Sequence, residues 1–421
     1  MFVKYVKITT MHLVSETVTY IFLFTALYIE VFFLITYFEF REKERKIPAV
    51  GALDKWPSVS VIVPVWNEGT TVLKTIFSLL ELNYPKEKLS IFIVDDGSTD
   101  KTWNVIQRFS RNKQIKLLKK ENGGKYTALN HALEFVDTEL VGCLDADSFV
   151  HPEALKRIVV QFEDSEIMAV TPSIKVFEPK GLLGFIQKAE YMMGIFFRKI
   201  FYYLNAIYVT PGPFSIFRKS VFDKLGNYKH AYNTEDIEIA LRMRKNNMKI
   251  GNVHNAFIYT IPPANFLSLY RQRLRWVYGF LKNAIDYKDM FFRPQYGNLG
   301  MIVLPAAGFS IFSTLFFGAK IILSWINLLL LKIEEISTIG LSFHGFNLDF
   351  FYINTDIIVF ISLIAIFGTF FIIMTSRELA EEKNRFGFDS ILFLIFYTLL
   401  TPIWMSKAIY NVVLSKDTKW R

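Results

Sequence analysis

Hydrophobic patterning changes character twice along the chain. Near the start, Thr17–Phe38 (TVTYIFLFTALYIEVFFLITYF) is apolar around its whole circumference and carries one charge, Glu30. That is long enough to cross a bilayer. It lacks a small-residue cleavage site, which predicts a retained anchor and not a removable leader. After Gly300 come three more such runs, Met301–Leu331, Ile353–Thr375 and Ile391–Leu414. Lys320 interrupts the first, and the last holds Lys407 after a kink signal at Thr401–Pro402. Between Ser58 and Ala264 no run compares, so that block predicts a domain outside the lipid.

Inside the block, short apolar strands alternate with helical periodicity. SVSVIVPV reads as a buried strand, and GTTVLKTIFSLLEL as a helix with apolar positions 72, 73, 76, 77, 79 and 80. LSIFIVDDGSTD is a strand ending in an acidic turn, where Thr99 or Asp100 is placed to cap the helix KTWNVIQRFS. IKLLKK, KYTALNHALEFV and ELVGCLDADS continue as strand, helix and strand. This order predicts an α/β fold with a largely parallel sheet. Such sheets bind ligands beyond the carboxyl ends of their strands. Those ends carry Asn67 and Glu68, then Asp95 and Asp96, then Asp145 and Asp147. One acidic pair alone is a turn or a cap; recurrence after successive strands predicts a single acidic crevice.

Composition sharpens this. Of 421 residues 52% are hydrophobic and 42 are phenylalanine, too apolar for an ordinary soluble enzyme. The net charge of +9 suits an anionic membrane surface and a phosphate-bearing ligand. No nucleic-acid module accompanies the basic residues, which argues against nucleic acid as a partner. The lone Cys143 forms no internal disulfide, in keeping with a reducing compartment. The basic flank REKERK (Arg41–Lys46) predicts a cytoplasmic side for the central domain. Lys332–Tyr352 then falls outside and SRELAEEKNR (Ser376–Arg385) inside. Three C-terminal spans leave the tail KDTKWR outside, against its charges, so the last run reads either as a span or as an interfacial or re-entrant segment.

Two carboxylates one residue apart, Asp145 and Asp147, suit a hard cation, Mg²⁺ or Mn²⁺, that also bridges to phosphates. No His/Cys cluster argues for zinc. ENGGKYTALN places two glycines and Lys125 at a helix start, where N–H groups favour an anion, without the spacing of a Walker loop.

Seven ordered motifs, VIVPVWNE, IVDDGSTD, NGGKYTALN, LDADS, PGPFSIFRKSVF, NTEDIEIALRMR and QRLRW, resemble the membrane-bound family 2 glycosyltransferases. The subgroup they are most similar to contains hyaluronan, chitin, cellulose and poly-N-acetylglucosamine synthases. The resemblance implies a GT-A fold, a Rossmann-like nucleotide-diphospho-sugar transferase domain, and a nucleotide-sugar donor, usually a UDP-sugar. It implies donor binding by Pro64, Glu68, Asp96, Lys125, Asp145, Gln272, Arg275 and Trp276. Asp147, with Asp145, would hold the metal, and Asp236 would be the general base. Gly212, Pro213, Phe214, Glu235 and Trp276 would face the acceptor, though Glu235 itself points elsewhere at a helix start. The loop lacks the cysteine of cellulose synthases, which disfavours that product. The domains divide as a membrane anchor and basic flank over 1–46, the GT-A domain over 56–265, interfacial helices over 266–297 and a membrane region over 298–421.

The arginines of LYRQRLRWVYGF (269–280) then gain a purpose. On a helix Gln272, Arg275 and Trp276 share one face. A guanidinium and an amide can grip a diphosphate while the indole stacks on a sugar. Arg271 and Arg273 flank that face, with one of them meeting lipid head groups. Thr234 is placed to cap the helix DIEIALRMR. Gly181–Leu204 predicts an interfacial helix, or a core helix with a wide apolar stripe. Glu30 and Lys320, costly in lipid, form a salt-bridged pair, line a channel or make single polar contacts. Three functions are open: extension of a polysaccharide at the plasma membrane, transfer of one sugar to a lipid acceptor such as a polyprenyl phosphate or glycolipid, and a catalytically dead export or scaffold subunit. The last predicts lost motifs, and none is lost. Membrane lipid is a partner in each.

Overall fold

The computed structural model describes residues 2–45, 55–340 and 356–414, with side chains from residue 16 to 42 in the first helix. Among them one sheet contains β1 (Val59–Val65), β2 (Leu89–Asp96), β3 (Ile115–Lys120), β4 (Leu140–Cys143), β5 (Ser148–Val150), β6 (Ile167–Val176), β7 (Ile216–Arg218) and β8 (Lys249–Thr260). Its order is β3-β2-β1-β4-β7-β6-β8-β5. The first four strands are parallel, as the alternation predicts. Beyond β4 the sheet becomes mixed: β7 runs antiparallel to both β4 and β6, β6 and β8 are parallel, and β5 is antiparallel to β8. A strand of three residues such as β7 has no room for a readable period.

α1 (Phe2–Arg45) precedes the domain. The helices α2 (Val72–Leu80), α3 (Thr102–Ile106) and α5 (Ala154–Val159) cover one face of the sheet over Val61, Val63, Ile91 and Ile93. On the other face α4 (Lys125–Leu133) and α8 (Glu235–Lys245) pack over Ile62, Phe92 and Val94 with α7 (Ser220–Leu225). Both faces are covered, which is why the parallel strands read as unbroken apolar runs. Lys101, and neither Thr99 nor Asp100, stands at the N-cap of α3 and makes no side-chain cap; Asp100 Oδ1 accepts from Thr102 N–H at 2.9 Å just ahead of the helix.

Among the described residues four helices are long and apolar enough to cross a membrane, over Glu16–Glu42, Leu299–Ile339, Ile357–Leu379 and Phe388–Val413. They belong to α1, α10 (Leu304–Ile339), α11 (Ile357–Leu379) and α12 (Phe388–Val413). α12 is continuous through Pro402, which packs against Gly318 of α10; a Cβ there would lie 2.6 Å from Pro402 Cγ. A re-entrant break is therefore not seen. Arg41 meets Glu378 at 2.6 Å, so the end of α1 and the α11–α12 turn sit at one end of the helices. The segment 341–355 and the tail after 414, with the sides expected for them, lie outside the described residues.

Glu30 and Lys320 are not a pair. Glu30 accepts from Thr369 Oγ1 at 2.9 Å, and Lys320 donates to Thr19 Oγ1 at 2.7 Å. Thr19 and Glu30 stand about 16 Å apart along α1, so the lysine reaches one and not the other.

α6 (Gly181–Tyr203) and α9 (Phe266–Asp286) lie between the sheet and the membrane helices. α6 departs from the interfacial expectation. Its apolar stripe is wide because protein covers it on two sides: β6 and β8 on one, α1, α11 and α12 on the other. Ile186, Met192, Ile195, Phe196 and Ile200 are buried, and its exposed large apolar side chains are Leu182 and Phe185 at the start. Its lysines also meet protein: Lys188 pairs with Glu382 at 2.6 Å and Lys199 Nζ lies 3.0 Å from His254 Nδ1.

The turn between α11 and α12 is pinned by Arg377, which donates to both carboxylate oxygens of Asp389 at 2.7 Å, both residues buried. Arg377→Met should strand the carboxylate and destabilise the protein by about 3–5 kcal/mol, while adding Asp389→Leu should recover most of that. Thermal unfolding in detergent measures both; equal stability of wild type and the single variant would count against the pair.

Candidate active site

A cavity of about 1330 Å³ opens at the carboxyl ends of β1, β2 and β4 and extends to α10 and α12. Sites for one small molecule occupy about 300–1,000 Å³, so this one has room for two ligands.

Its floor is built on Lys125, the first residue of α4. The ammonium lies 2.7 Å from Asp145 Oδ1 and 3.0 Å from Glu235 Oε1. Burial alone would depress the lysine, but Asp145 and Glu235 outweigh it and hold its pKa well above the ordinary value. Burial works against the Glu235 carboxylate too, yet Lys125 wins and its pKa is lowered. Lys125 is thus bound to two carboxylates and Glu235 faces the lysine, while both also line the cavity. Gly212 passes directly over them: a Cβ would stand 2.5 Å from Lys125 Nζ. Pro211 and Pro213 line the cavity beside it. Phe214 does not, contrary to expectation. Its φ of +66° turns the ring into the core, and its N–H donates to Cys143 O at 2.6 Å. Cys143 donates to Gly212 O at 2.9 Å, its thiol pushed up to about 12 chiefly by burial.

Asp236 follows Glu235 at the start of α8. Burial, reinforced by the Glu235 charge, raises its pKa to about 6 against the pull of Lys125 and Arg275. Its Oδ1 accepts from Ile237 N–H at 3.0 Å, and its main-chain oxygen accepts from the Thr210 N–H and hydroxyl, fixing the 210–213 loop beside it. Thr234 does not cap α8 with its side chain. Its hydroxyl donates to Ala231 O at 2.8 Å and accepts from Asn283 Nδ2 at 3.0 Å. The approach of Gly279 explains why: a Cβ there would be 2.3 Å from Thr234. Thr234 docks α8 onto α9.

At the far strand ends, Asp96 accepts from Lys120 at 2.7 Å and from the N–H groups of Gly123 and Gly124, fixing the glycine turn. Pro64, Glu68 and Asp96 line that end. Asp147 is raised to about 6, first by burial and then by the charges of Asp145 and Glu68. Among the described residues no three metal-type donors converge. Mg²⁺ and Mn²⁺ need only one or two carboxylates when substrate phosphates and water complete the shell. The crowded charge on Asp147 suits such a cation, whereas Asp145 already holds Lys125.

α9 starts at Asn265, whose Oδ1 accepts from Ser268 N–H at 2.9 Å. Arg271, Gln272, Arg275 and Trp276 line the cavity, and Arg275 donates to Asn233 O at 3.0 Å. Arg271 therefore joins the working face it was expected to flank. Arg273 departs further. It is buried, paired with both oxygens of Glu190 from α6, and lies 4.3 Å from the Trp276 ring centroid. It meets no lipid, because Glu190 supplies the charge that a head group would have offered. One face of the indole is taken by it. Glu190, Tyr191 and Arg198, which also line the cavity, were missed in the sequence; three polar side chains in an apolar helix were their only signal.

Residues 60–226 match the glycosyl transferase family 2 domain. Poly-beta-1,6-N-acetyl-D-glucosamine synthases of Staphylococcus epidermidis and Staphylococcus aureus are 31% and 30% identical over 250 and 244 residues. These stretches are 58% and 57% of this chain, which spans 60% and 58% of the length of those relatives. A mannosyltransferase of Pyrobaculum calidifontis, solved with GDP-Man and Mn²⁺, shares the fold with a TM-score of 0.59 at 16% identity, over 93% of this chain and 99% of that one.

Lys125→Met should leave the buried Glu235 carboxylate and the half-buried Asp145 with no cation between them, lowering stability by about 3–5 kcal/mol. Adding Glu235→Gln should restore part of the loss. Thermal unfolding tests this, and an unchanged Tm for Lys125→Met would refute the lysine as a structural tie.

Proposed function

We propose, from the premise that residues 60–226 form a glycosyl transferase family 2 domain, that the protein is an inverting, metal-dependent glycosyltransferase extending a glycan at the membrane. The observation that carries this is convergence: Asp147, Asp236 and Arg275, from three separate stretches, line one cavity that runs on to membrane helices. Curated relatives named as polysaccharide synthases support the glycan. The fold neighbour's GDP-Man and Mn²⁺ are in keeping with a nucleotide-sugar donor and a divalent cation. The domain faces the cytoplasm of the plasma membrane in this reading, where nucleotide-sugars are made.

The donor's nucleoside enters at Pro64, Glu68 and Asp96, and its diphosphate lies toward Asp147 and α9. A divalent cation held at Asp147 supplies charge stabilisation to the departing diphosphate. Arg275 and Arg271, one turn apart, present guanidinium groups to the same charge, and Gln272 adds an amide. Asp236 removes the proton from the attacking hydroxyl. An ordinary aspartate, with a pKa of about 4, is a weak base; burial beside Glu235 moves Asp236 to about 6, nearer the working pH. Lys125 makes this selective. It holds Glu235 ionised, and the Glu235 charge in turn helps burial raise the neighbouring Asp236. Direct attack by the hydroxyl inverts the sugar. A second reading, one transfer to a lipid acceptor, is favoured by the apolar walls of the cavity at α10 and α12.

Asp236→Asn should keep UDP affinity within about twofold and lower transfer at least a thousandfold, consistent with loss of a positioned base and its charge. Asp147→Ala should abolish the Mn²⁺ dependence of UDP binding. A donor screen with product sizing decides substrate and acceptor: long polymer supports the first reading, a single organic-extractable adduct the second.

A pH profile offers an independent check. At saturating Mn²⁺, with Asp147 taken by the cation, kcat/KM should fall on the acid side as pH drops through about 6, because Asp236 becomes protonated there. An acid limb near 4 would mean that its environment does not shift it.

A further inference from the structure

The cavity's membrane end is largely apolar, with the Ser310 hydroxyl of α10 among its lining. Phe197, Phe201 and Tyr208 line it, with Ile311 of α10 and Met405 of α12. Among them lies Arg198 of α6. Its Nη1 is buried without a hydrogen-bond partner, and among the described residues no carboxylate pairs with it. Burial draws the guanidinium down to about 10, which leaves it charged at neutral pH. The nearest acid on the same helix, Glu190, is already taken by Arg273. A buried cation without an anion costs several kcal/mol, and a fold that keeps one facing a cavity has a use for it there.

We propose that this end of the cavity is a subsite for an acceptor carrying a phosphate-type anion on an apolar chain, with Arg198 gripping the anion. The inference rests on the glycosyltransferase reading and specifies its acceptor. Arginine suits a phosphate because its fork can make paired contacts. The aromatic and aliphatic walls suit the chain, which reaches them from the bilayer past α10 and α12. A neutral glycan would satisfy the walls and leave the charge uncompensated. Asp236 is needed only for a hydroxyl, so the anion is a handle and the attacking hydroxyl lies elsewhere on the same acceptor.

The test uses the full chain in phosphatidylcholine nanodiscs, with farnesyl phosphate, farnesol and inorganic phosphate as probes and empty nanodiscs as background. Wild type should bind farnesyl phosphate at least about tenfold more tightly than farnesol, the size of a charge-assisted contact. Arg198→Gln should remove that preference and Arg198→Lys keep part of it, while Mn²⁺-dependent UDP binding stays unchanged in both. Equal affinity of wild type for the two farnesyl probes, or undiminished farnesyl phosphate binding by Arg198→Gln, overturns the subsite. Inorganic phosphate that competes as well as farnesyl phosphate overturns the lipid-tethered assignment. Should Arg198→Gln not fold, the wild-type comparison and Arg198→Lys decide. Absent UDP binding in wild type would count against the transferase reading and leave the farnesyl phosphate result standing.

Discussion

One buried ammonium organises the site. Lys125 begins α4, Asp145 opens the turn after β4, and Glu235 begins α8, and the three meet within 3.0 Å under Gly212. Separately, each carboxylate would pay heavily for burial; around one cation the desolvation is shared and the geometry is fixed. The same contact sets the chemistry next to it. Glu235 stays ionised because of Lys125, and its retained charge makes Asp236 hold a proton more tightly. A larger residue at 212 would displace the lysine and undo both effects, so the glycine of the PGPF loop belongs to the electrostatics as much as to the backbone.

A second tie joins chemistry to membrane. α9 is clamped to the start of α8 through Thr234, Gly279 and Asn283, and to α6 and α12 through Arg273, Glu190 and Tyr397. Arg275 and Trp276 therefore ride on a helix whose opposite side is fastened to a membrane-spanning element. Movement of α12 would reach Arg275 and Trp276 in the cavity wall without an intervening loop. That coupling gives a physical reason for building this cavity wall from a helix next to the membrane helices and not from a domain on a tether.

Much of the frame was legible in the sequence. β1 to β4 and the four apolar helices announce themselves by period and length, and the acids at the strand ends by recurrence. What could not be read depends on partners distant in the chain. Arg273 and Arg275 are alike in composition and two residues apart, yet Glu190, some eighty residues earlier, decides that one is structural. Phe214 looks accessible until the left-handed turn at its backbone is known. Glu30 and Lys320 suggest a pair by charge, and the spacing of Thr19 and Glu30 along α1 forbids it. α6 looked like a lipid-facing helix because a sequence shows how much of a helix is apolar, not what covers it.

Two arginines, Arg273 meeting α6 and Arg198 on it, show how the cavity separates its tasks. Arg273 is matched by a carboxylate and adds no net charge to the cavity; Arg198, two turns along the same wall, is unmatched and does. At the strand-end side the balance is reversed, with Asp147 crowded by Asp145 and Glu68 in want of a cation. The cavity is thus polarised, with crowded negative charge at the strand ends and an unmatched positive charge where the membrane helices begin. A ligand pair that supplied a cation at one end and an anion at the other would satisfy both deficits, and the carboxylate of Asp236 lies in the wall of that same cavity.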